Sequence, residues 1–340
     1  MADNVHHQAR IAHPSHMNTL LRPMPVSVWI ACFGSIAMLI SQVAGVSTMH
    51  ALLLPLALPC TLWIGVAWIM SVKLGDTFLS SRLRLGLVGG LWGTVGYDAV
   101  RVPLHLMGLN PFPPIRAYGM WVAGMDHATP LTDLVGFIYH ISNGVTFGII
   151  YALLMTGRHW GWGVLFGLGL EAMAVVTPFG ELFGLRAFSQ TVIIAFVAHL
   201  FYGYPLGRIC QNKTDSGISG SLGWSGAAIT ALAAWFLLAW QPVAGYPELS
   251  GRLIIFGPAA IYPGVRDVHL HSARDVILRN ETDKELHVRM RSTRDAHGSG
   301  EELVLPPHGE VSHALPRAGL YQFAVPGAPW RSAWVFAWER

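Results

Sequence analysis

The sequence predicts a polytopic α-helical membrane domain of about seven spans, followed by an exported all-β sandwich. Three observations carry that prediction. The chain of 340 residues is 52% hydrophobic and only 12% charged, roughly half the charge of a soluble domain. Apolar runs close to the ~20 residues that cross a bilayer recur along its first two thirds. Beyond Gln241 charge rises and apolar residues alternate with polar ones, the period of a β-strand.

Residues 1–24 form a hydrophilic tail with His6, His7, His13 and His16, expected to be solvated in the cytoplasm, with metal binding as the sharper alternative. Residues 25–245 form the membrane domain, with spans at 26–46, 51–72, 83–107, 131–155, 160–178, 190–210 and 224–240. Threaded this way, Arg10, Arg22, Lys73, Arg82, Arg84, Arg158, Arg208 and Lys213 share one side, against Arg116 and Arg186 on the other. The positive-inside rule then places the N-terminus in the cytoplasm and the last domain outside, as in a bacterial inner membrane. The first span is too long for a signal-peptide core and reads as an uncleaved anchor. Cys32, Cys60 and Cys210 lie in or at the ends of spans, form no CxxC pair and leave the exported domain without cysteine, so no disulfide framework is expected. The net charge of +3 is spread along the chain, and no basic cluster faces an aromatic platform. That argues against nucleic acid and leaves the lipid bilayer as the first partner.

One pattern occurs twice in the membrane domain. Phe137, His140, Gly144 and Gly148 read F-x2-H-x3-G-x3-G, and so do Phe196, His199, Gly203 and Gly207. The preceding spans match as well: Gly90, Gly96 and Asp98 have the spacing of Gly163, Gly169 and Glu171. The reading is a duplicated helical hairpin in spans 3 to 6, each copy carrying one carboxylate and one histidine into the membrane. An ionisable group there costs roughly 2.5–3.5 kcal/mol on insertion scales, so it marks a functional site by default. At ~1.5 Å per residue the four groups fall at similar depth in the outer half of the membrane. Two hairpins of one orientation imply a pseudo-two-fold axis along the membrane normal, with the paired glycines allowing close helix approach.

Asp98, His140, Glu171 and His199 are therefore the candidate metal ligands, a set suited to iron, copper, zinc or manganese. Bis-histidine haem through His140 and His199 is the variant, against which the nearby carboxylates weigh. Arg101, Asn143 and Tyr202 lie one turn from Asp98, His140 and His199 and are expected to orient a ligand or bound water. His105 extends the polar stripe, and Asp133 reads as a residue at the mouth of the site. Structural readings stand beside these: Asp98 and Arg101 neutralising each other, and each histidine hydrogen-bonding a neighbouring helix. Asn110 to Arg116 followed by Tyr118 and Trp121 reads either as an outer lid or as an aromatic belt anchor, with the anchor favoured. Glu181 and Arg186 would join the same vestibule.

Residues 250–340 form the exported domain. Short alternating runs at 275–280, 285–290, 302–305, 319–324 and 333–337, separated by turn residues, predict an antiparallel sandwich. Trp330, Trp334 and Trp338 add core area, the last two on one face. The run from Val276 through Asn280 and Thr282 to His287, the Pro-Pro-His308-Gly309 turn, and the Gly319-Leu-Tyr321 strand resemble a cupredoxin. The resemblance implies that fold and gives His287 a copper-ligand position. The family's cysteine, second histidine and methionine are missing, and a blue-copper centre needs the thiolate, so none is expected. His269, His271, His287 and Met290 form an alternative thiolate-free copper set, with a plain polar face as the simpler reading.

Three functions follow as expectations: metal handling or redox chemistry at the intramembrane carboxylate–histidine site; a proton-coupled transporter or channel using the same residues; or a non-catalytic subunit docking a periplasmic or membrane protein partner through the sandwich. No residue pattern assigns a catalytic reaction.

Overall fold

The computed structural model describes residues 22–106, 114–183, 185, 189–211, 251–258, 261–292 and 300–339. The histidine tail, the expected seventh span at 224–240, the start of the outer proline-rich loop, and the side chains of His105, Glu181, Arg186 and Trp330 lie outside the described residues.

The first apolar stretch is two helices, α1 (Pro23–Ala31) and α2 (Gly34–Ala44), joined by a bend at Cys32 and Phe33. Gly45 ends α2 at φ 79°, a left-handed conformation that glycine adopts without a Cβ clash. The second stretch comprises α3 (Met49–Leu52), a π-turn at Leu53–Ala57 and α4 (Leu58–Lys73). Pro55 offers no N–H to the helical ladder, and the wide turn around it keeps the helix continuous. Then come α5 (Thr77–Leu106), α6 (Pro114–Ala123), α7 (Pro130–Met155), α8 (Gly161–Val176), α9 (Pro178–Leu182) and α10 (Ser189–Gln211). Helix α7 begins with a reciprocal cap: Thr129 Oγ1 accepts from Thr132 N, Thr132 Oγ1 accepts from Thr129 N, and Pro130 occupies the first turn.

Four helical stretches among the described residues are long and apolar enough to cross a membrane: Pro23–Ala44, Met49–Lys73, Pro130–Met155 and Val192–Gln211. Helix α8 is shorter, and α5, 30 residues long, carries Arg82, Arg84, Asp98 and Arg101.

Helix α5 packs against both α7 and α10, and α10 packs against both α5 and α8. Where α5 meets α7, a Cβ on Gly90 would strike the Gly144 carbonyl; where α8 meets α10, a Cβ on Gly163 would strike that of Gly203. The expected pseudo-two-fold requires α7 to pack on α8 as α10 packs on α5, yet α7 and α8 barely meet. The hairpins form a row, α7–α5–α10–α8, instead of a closed ring. Proline fixes the central contact. Pro205 has no N–H to give the Phe201 carbonyl one turn earlier, and Gly96 of α5 lies against that carbonyl.

The C-terminal domain has nine strands among the described residues: β1 (Leu253–Phe256), β2 (Ile261–Tyr262), β3 (Val265–His269), β4 (Asp275–Asn280), β5 (Leu286–Ser292), β6 (Glu301–Leu305), β7 (Glu310–Ala314), β8 (Gly319–Val325) and β9 (Ala328–Trp338). They form two sheets, β2-β1-β4-β7 and β3-β9-β8-β5-β6. Val276, Leu278, Leu286 and Val288 are buried between them, as their alternation requires. Two neighbours are parallel, β1 with β4 and β3 with β9, so the sandwich is mixed where a purely antiparallel one was expected. Asn280 secures the β4–β5 turn: its Nδ2 donates to the carbonyls of Lys284, Leu305 and Pro306, and its Oδ1 accepts from Thr282 N at 2.9 Å.

The sandwich and the helices share a core. Trp121 of α6 meets Phe336 at 5.3 Å and Trp338 at 5.7 Å between ring centroids, and donates its indole N–H to Asp267 Oδ2 at 2.8 Å. Trp334 and Trp338 both belong to this shared core, as their common face implies. The 126–128 segment pairs with the edge strand β3: Asp267 N donates to Asp126 O at 2.7 Å, and Ala128 N to Val265 O at 3.0 Å. Helix α6 is thus neither a lid nor a belt anchor. Nearly all of it is buried between α7 and the sandwich.

Candidate functional site

Each carboxylate of the repeated pattern meets the histidine of its own helix pair. Asp98 Oδ1 lies 3.1 Å from His140 Nε2, and that contact is a hydrogen bond between α5 and α7. Glu171 Oε2 lies 3.0 Å from His199 Nδ1, between α8 and α10. That same His199 nitrogen hydrogen-bonds the Ala195 carbonyl at 3.0 Å, one turn earlier on α10. Both carboxylates are buried, and both imidazoles are partly buried.

Tyr97 joins the two pairs. Its ring centroid is 5.5 Å from that of His140 and 4.9 Å from that of His199, the second contact edge-on. The duplicated pattern gives no hint of this residue, because its counterpart before Glu171 is Leu170. Only the row order places a side chain of α5 against both α7 and α10.

The other expected site residues divide. Arg101 stays with the site: Nη1 is 3.9 Å from Asp98 Oδ1, and the guanidinium lies 5.3 Å from the Tyr97 ring centroid. Asn143 turns away and accepts from Ser35 of α2, beside Tyr139, whose hydroxyl donates to the Ser35 carbonyl at 2.8 Å. Tyr202 donates to the Gly144 carbonyl at 2.8 Å, tying α10 to α7 across α5. Asp133 is not at a mouth. Its buried carboxylate takes a bidentate grip from Arg116, with Nη2–Oδ2 at 2.9 Å and Nε–Oδ1 at 3.2 Å, which clamps α6 to α7.

Among the described residues, no three of His, Cys, Asp and Glu converge on one point suited to a metal ion. Chemically the site is two carboxylate–imidazole pairs with an aromatic ring against both. The candidate copper set in the sandwich is dispersed. His269 lies on β3, whereas His287 and Met290 lie on β5, with β9 and β8 between. His287 is exposed and contacts Glu302 at 2.8 Å through Nδ1.

Near the pairs, Tyr118 contacts Tyr139 at 5.2 Å and Phe183 at 6.1 Å, and Trp121 contacts Phe183 at 5.9 Å. This aromatic layer lies between the pairs and the sandwich. At the junction Arg266 is fully buried, 3.6 Å from Asp126, with no hydrogen bond to its three nitrogens. Burial lowers its pKa, with Asp126 acting in the opposite direction. Asp267 beside it is pushed up to about 7, chiefly by burial.

No family model matches the chain, and comparison with curated protein sequences gives no match. Among solved structures, a novel purple cupredoxin from Nitrosopumilus maritimus is similar over 25% of this chain and 98% of its own, at 14% identity and a TM-score of 0.21.

Proposed function

We propose that this is a proton-coupled integral membrane protein, a transporter or channel, whose working site is the Asp98–His140 and Glu171–His199 pairs. One observation carries the reading: both carboxylates are buried in apolar helices, and each lies about 3 Å from an imidazole nitrogen of the neighbouring helix. A carboxylate–imidazole pair passes a proton with little movement, and such residues inside membrane helices commonly mark proton relays. Tyr97 packs against both imidazoles and holds the pairs in one neighbourhood.

The same reading takes the two helix pairs as copies of one hairpin, because Gly90–Gly144 and Gly163–Gly203 are equivalent positions of the repeated pattern. It keeps seven crossings, with the N-terminus in the cytoplasm and the sandwich outside a bacterial inner membrane. The sandwich is read as a cupredoxin scaffold without a blue-copper site.

The test uses the full chain in liposomes, with a potassium diffusion potential as the driving force and a trapped pH-sensitive dye as the readout. Wild type is expected to acidify or alkalinise the lumen according to the sign of the potential, and Glu171→Gln and His199→Ala to abolish the change. No wild-type response at either sign refutes the reading. Stoichiometric transition metal in the purified protein, lost in His140→Ala and His199→Ala, would replace it with the metal site.

A further inference from the structure

The two carboxylate–imidazole pairs belong to two arms of the row, and aromatic rings join the arms. On one arm α6 is fastened to α7, the helix of His140. Arg116 grips Asp133, and a Cβ on Gly119 would strike the Thr132 carbonyl. On the other arm α9 turns back on the end of α8, the helix of Glu171, where a Cβ on Gly180 would strike the Val175 carbonyl. Phe183 follows α9, its ring centroid 4.4 Å from that of Phe179. Helices α7 and α8 themselves barely meet. The sandwich spans that gap: the Phe336 ring of β9 lies 5.3 Å from Trp121 of α6 and 5.5 Å from Phe183. All three rings are buried.

The apolar half of this junction favours docking, since aromatic pairs add to the gain from burial. The polar half opposes it. Strand β3 brings Arg266 within 3.6 Å of Asp126 and sets Asp267 against Trp121. There Arg266 Nε, Nη1 and Nη2 and Asp267 Oδ1 are buried without a hydrogen-bond partner. Such groups cost free energy that water returns on release. Release breaks the hydrogen bonds from Trp121 Nε1 to Asp267 Oδ2, from Asp267 N to Asp126 O and from Ala128 N to Val265 O. The sandwich keeps a second core made only of its own residues, among them Val276, Leu278, Val288, Phe323 and Val335, so it can leave without unfolding. We propose that the sandwich is a releasable clasp: docked, it holds the two arms at one spacing through Phe336; released, it lets them part. The proposal rests on the proton-coupled reading for what the site does, and not for the motion itself.

Two measurements on the full chain in nanodiscs test it. Hydrogen exchange with residue-level mass spectrometry reads release. The Asp267 and Ala128 amides, which bond across the junction, should exchange at least about tenfold faster than those of β8 at the centre of its sheet. Double electron–electron resonance reads the arms, between spin labels at Leu131→Cys, at the start of α7, and Val176→Cys, at the end of α8. Both positions are exposed, and Cys32, Cys60 and Cys210 are replaced by alanine in the labelled protein. Phe336→Ala cuts the bridge from the sandwich side and Phe183→Ala from the helical side, and each should add a longer distance absent from the parent. Protected β8 amides show that the sandwich stays folded in each variant; Phe336→Leu replaces Phe336→Ala if that protection is lost. Equal protection of junction and β8 amides overturns the release. An unchanged distance in both variants overturns the clasp, and so does a change in Phe183→Ala alone, which would assign the bridge to α6 without the sandwich. Arms that part in a protein moving no protons in liposomes keep the clasp and lose the transport reading; a proton response with arms that do not part does the reverse.

Discussion

Asp267→Asn tests how the sandwich is held on the helical domain. The Asp267 carboxyl lies at the junction, with Oδ2 accepting from Trp121 Nε1 at 2.8 Å. Burial raises its pKa from 3.8 to about 7, against the opposing pull of the Trp121 N–H. A carboxyl with a higher pKa when docked keeps its proton longer docked than released. Its contribution is therefore fully present below pH 3.8 and is lost as pH rises through about 7. At about 1.36 kcal/mol per pH unit, the loss builds to roughly 4 kcal/mol and then levels off. Asparagine keeps an acceptor for Trp121 and removes the charge. The assay is the thermal midpoint of the detergent-solubilised protein by tryptophan fluorescence, at intervals between about pH 4 and about pH 8. Wild type and Asp267→Asn should nearly coincide at the acid end, and the variant should become progressively more stable than wild type towards neutrality. Taking the difference between the two proteins cancels every other titrating group. A difference that is flat, or that favours wild type at neutral pH, would refute the reasoning.

Three further outcomes are expected. Arg116→Ala leaves the Asp133 carboxylate buried and unpaired, at a cost of roughly 3–5 kcal/mol; the double variant Arg116→Leu with Asp133→Leu should recover most of it in the same melting assay. Gly90→Val drives a side chain into the Gly144 carbonyl, so overpacking of about 1–3 kcal/mol should lower the midpoint, whereas Gly65→Ala, where a Cβ meets nothing within 4 Å, should not. Copper loading of the purified protein should give no intense blue absorption, because the sandwich has no cysteine to form the thiolate bond and the described cysteines all lie in the helical part.

Much of the fold is legible in the residues. Alternation finds β4 at its full extent and β5, β6, β8 and β9 in part, because one face of each strand must be apolar. Strands β1, β2 and β3 escape it. Leu253 to Phe256 is buried along its whole length, so the run has no period to read, and β3 is buried except at His269. Strand β7 is mostly exposed, so its apolar signal is weak. The carboxylate–histidine pairings are legible because a glycine contact repeats with them. Helix α6 misleads for a physical reason. Trp121 and Tyr118 have the composition of a headgroup anchor, but Trp121 covers Phe336 and Trp338 of the sandwich and Tyr118 packs on Tyr139 and Phe183, contacts that no local pattern announces. Asp133 misleads likewise, since its partner Arg116 lies on a different helix.

The row order explains why one motif, written twice, makes two unequal sites. In a closed two-fold each carboxylate helix would touch both histidine helices, and the two sites would share their surroundings. In this arrangement α5 packs against both α7 and α10, so Tyr97 reaches both His140 and His199. Helix α8 is terminal and packs mainly on α10 and the short helix α9; its outer residues Trp162, Leu165, Met173 and Val176 are exposed. A polar residue at the position of Tyr97 or Arg101 would have little to meet there, and the chain has Leu170 and Ala174 instead. Among the described residues Glu171 is thus ion-paired with a histidine alone, where Asp98 has both a histidine and an arginine.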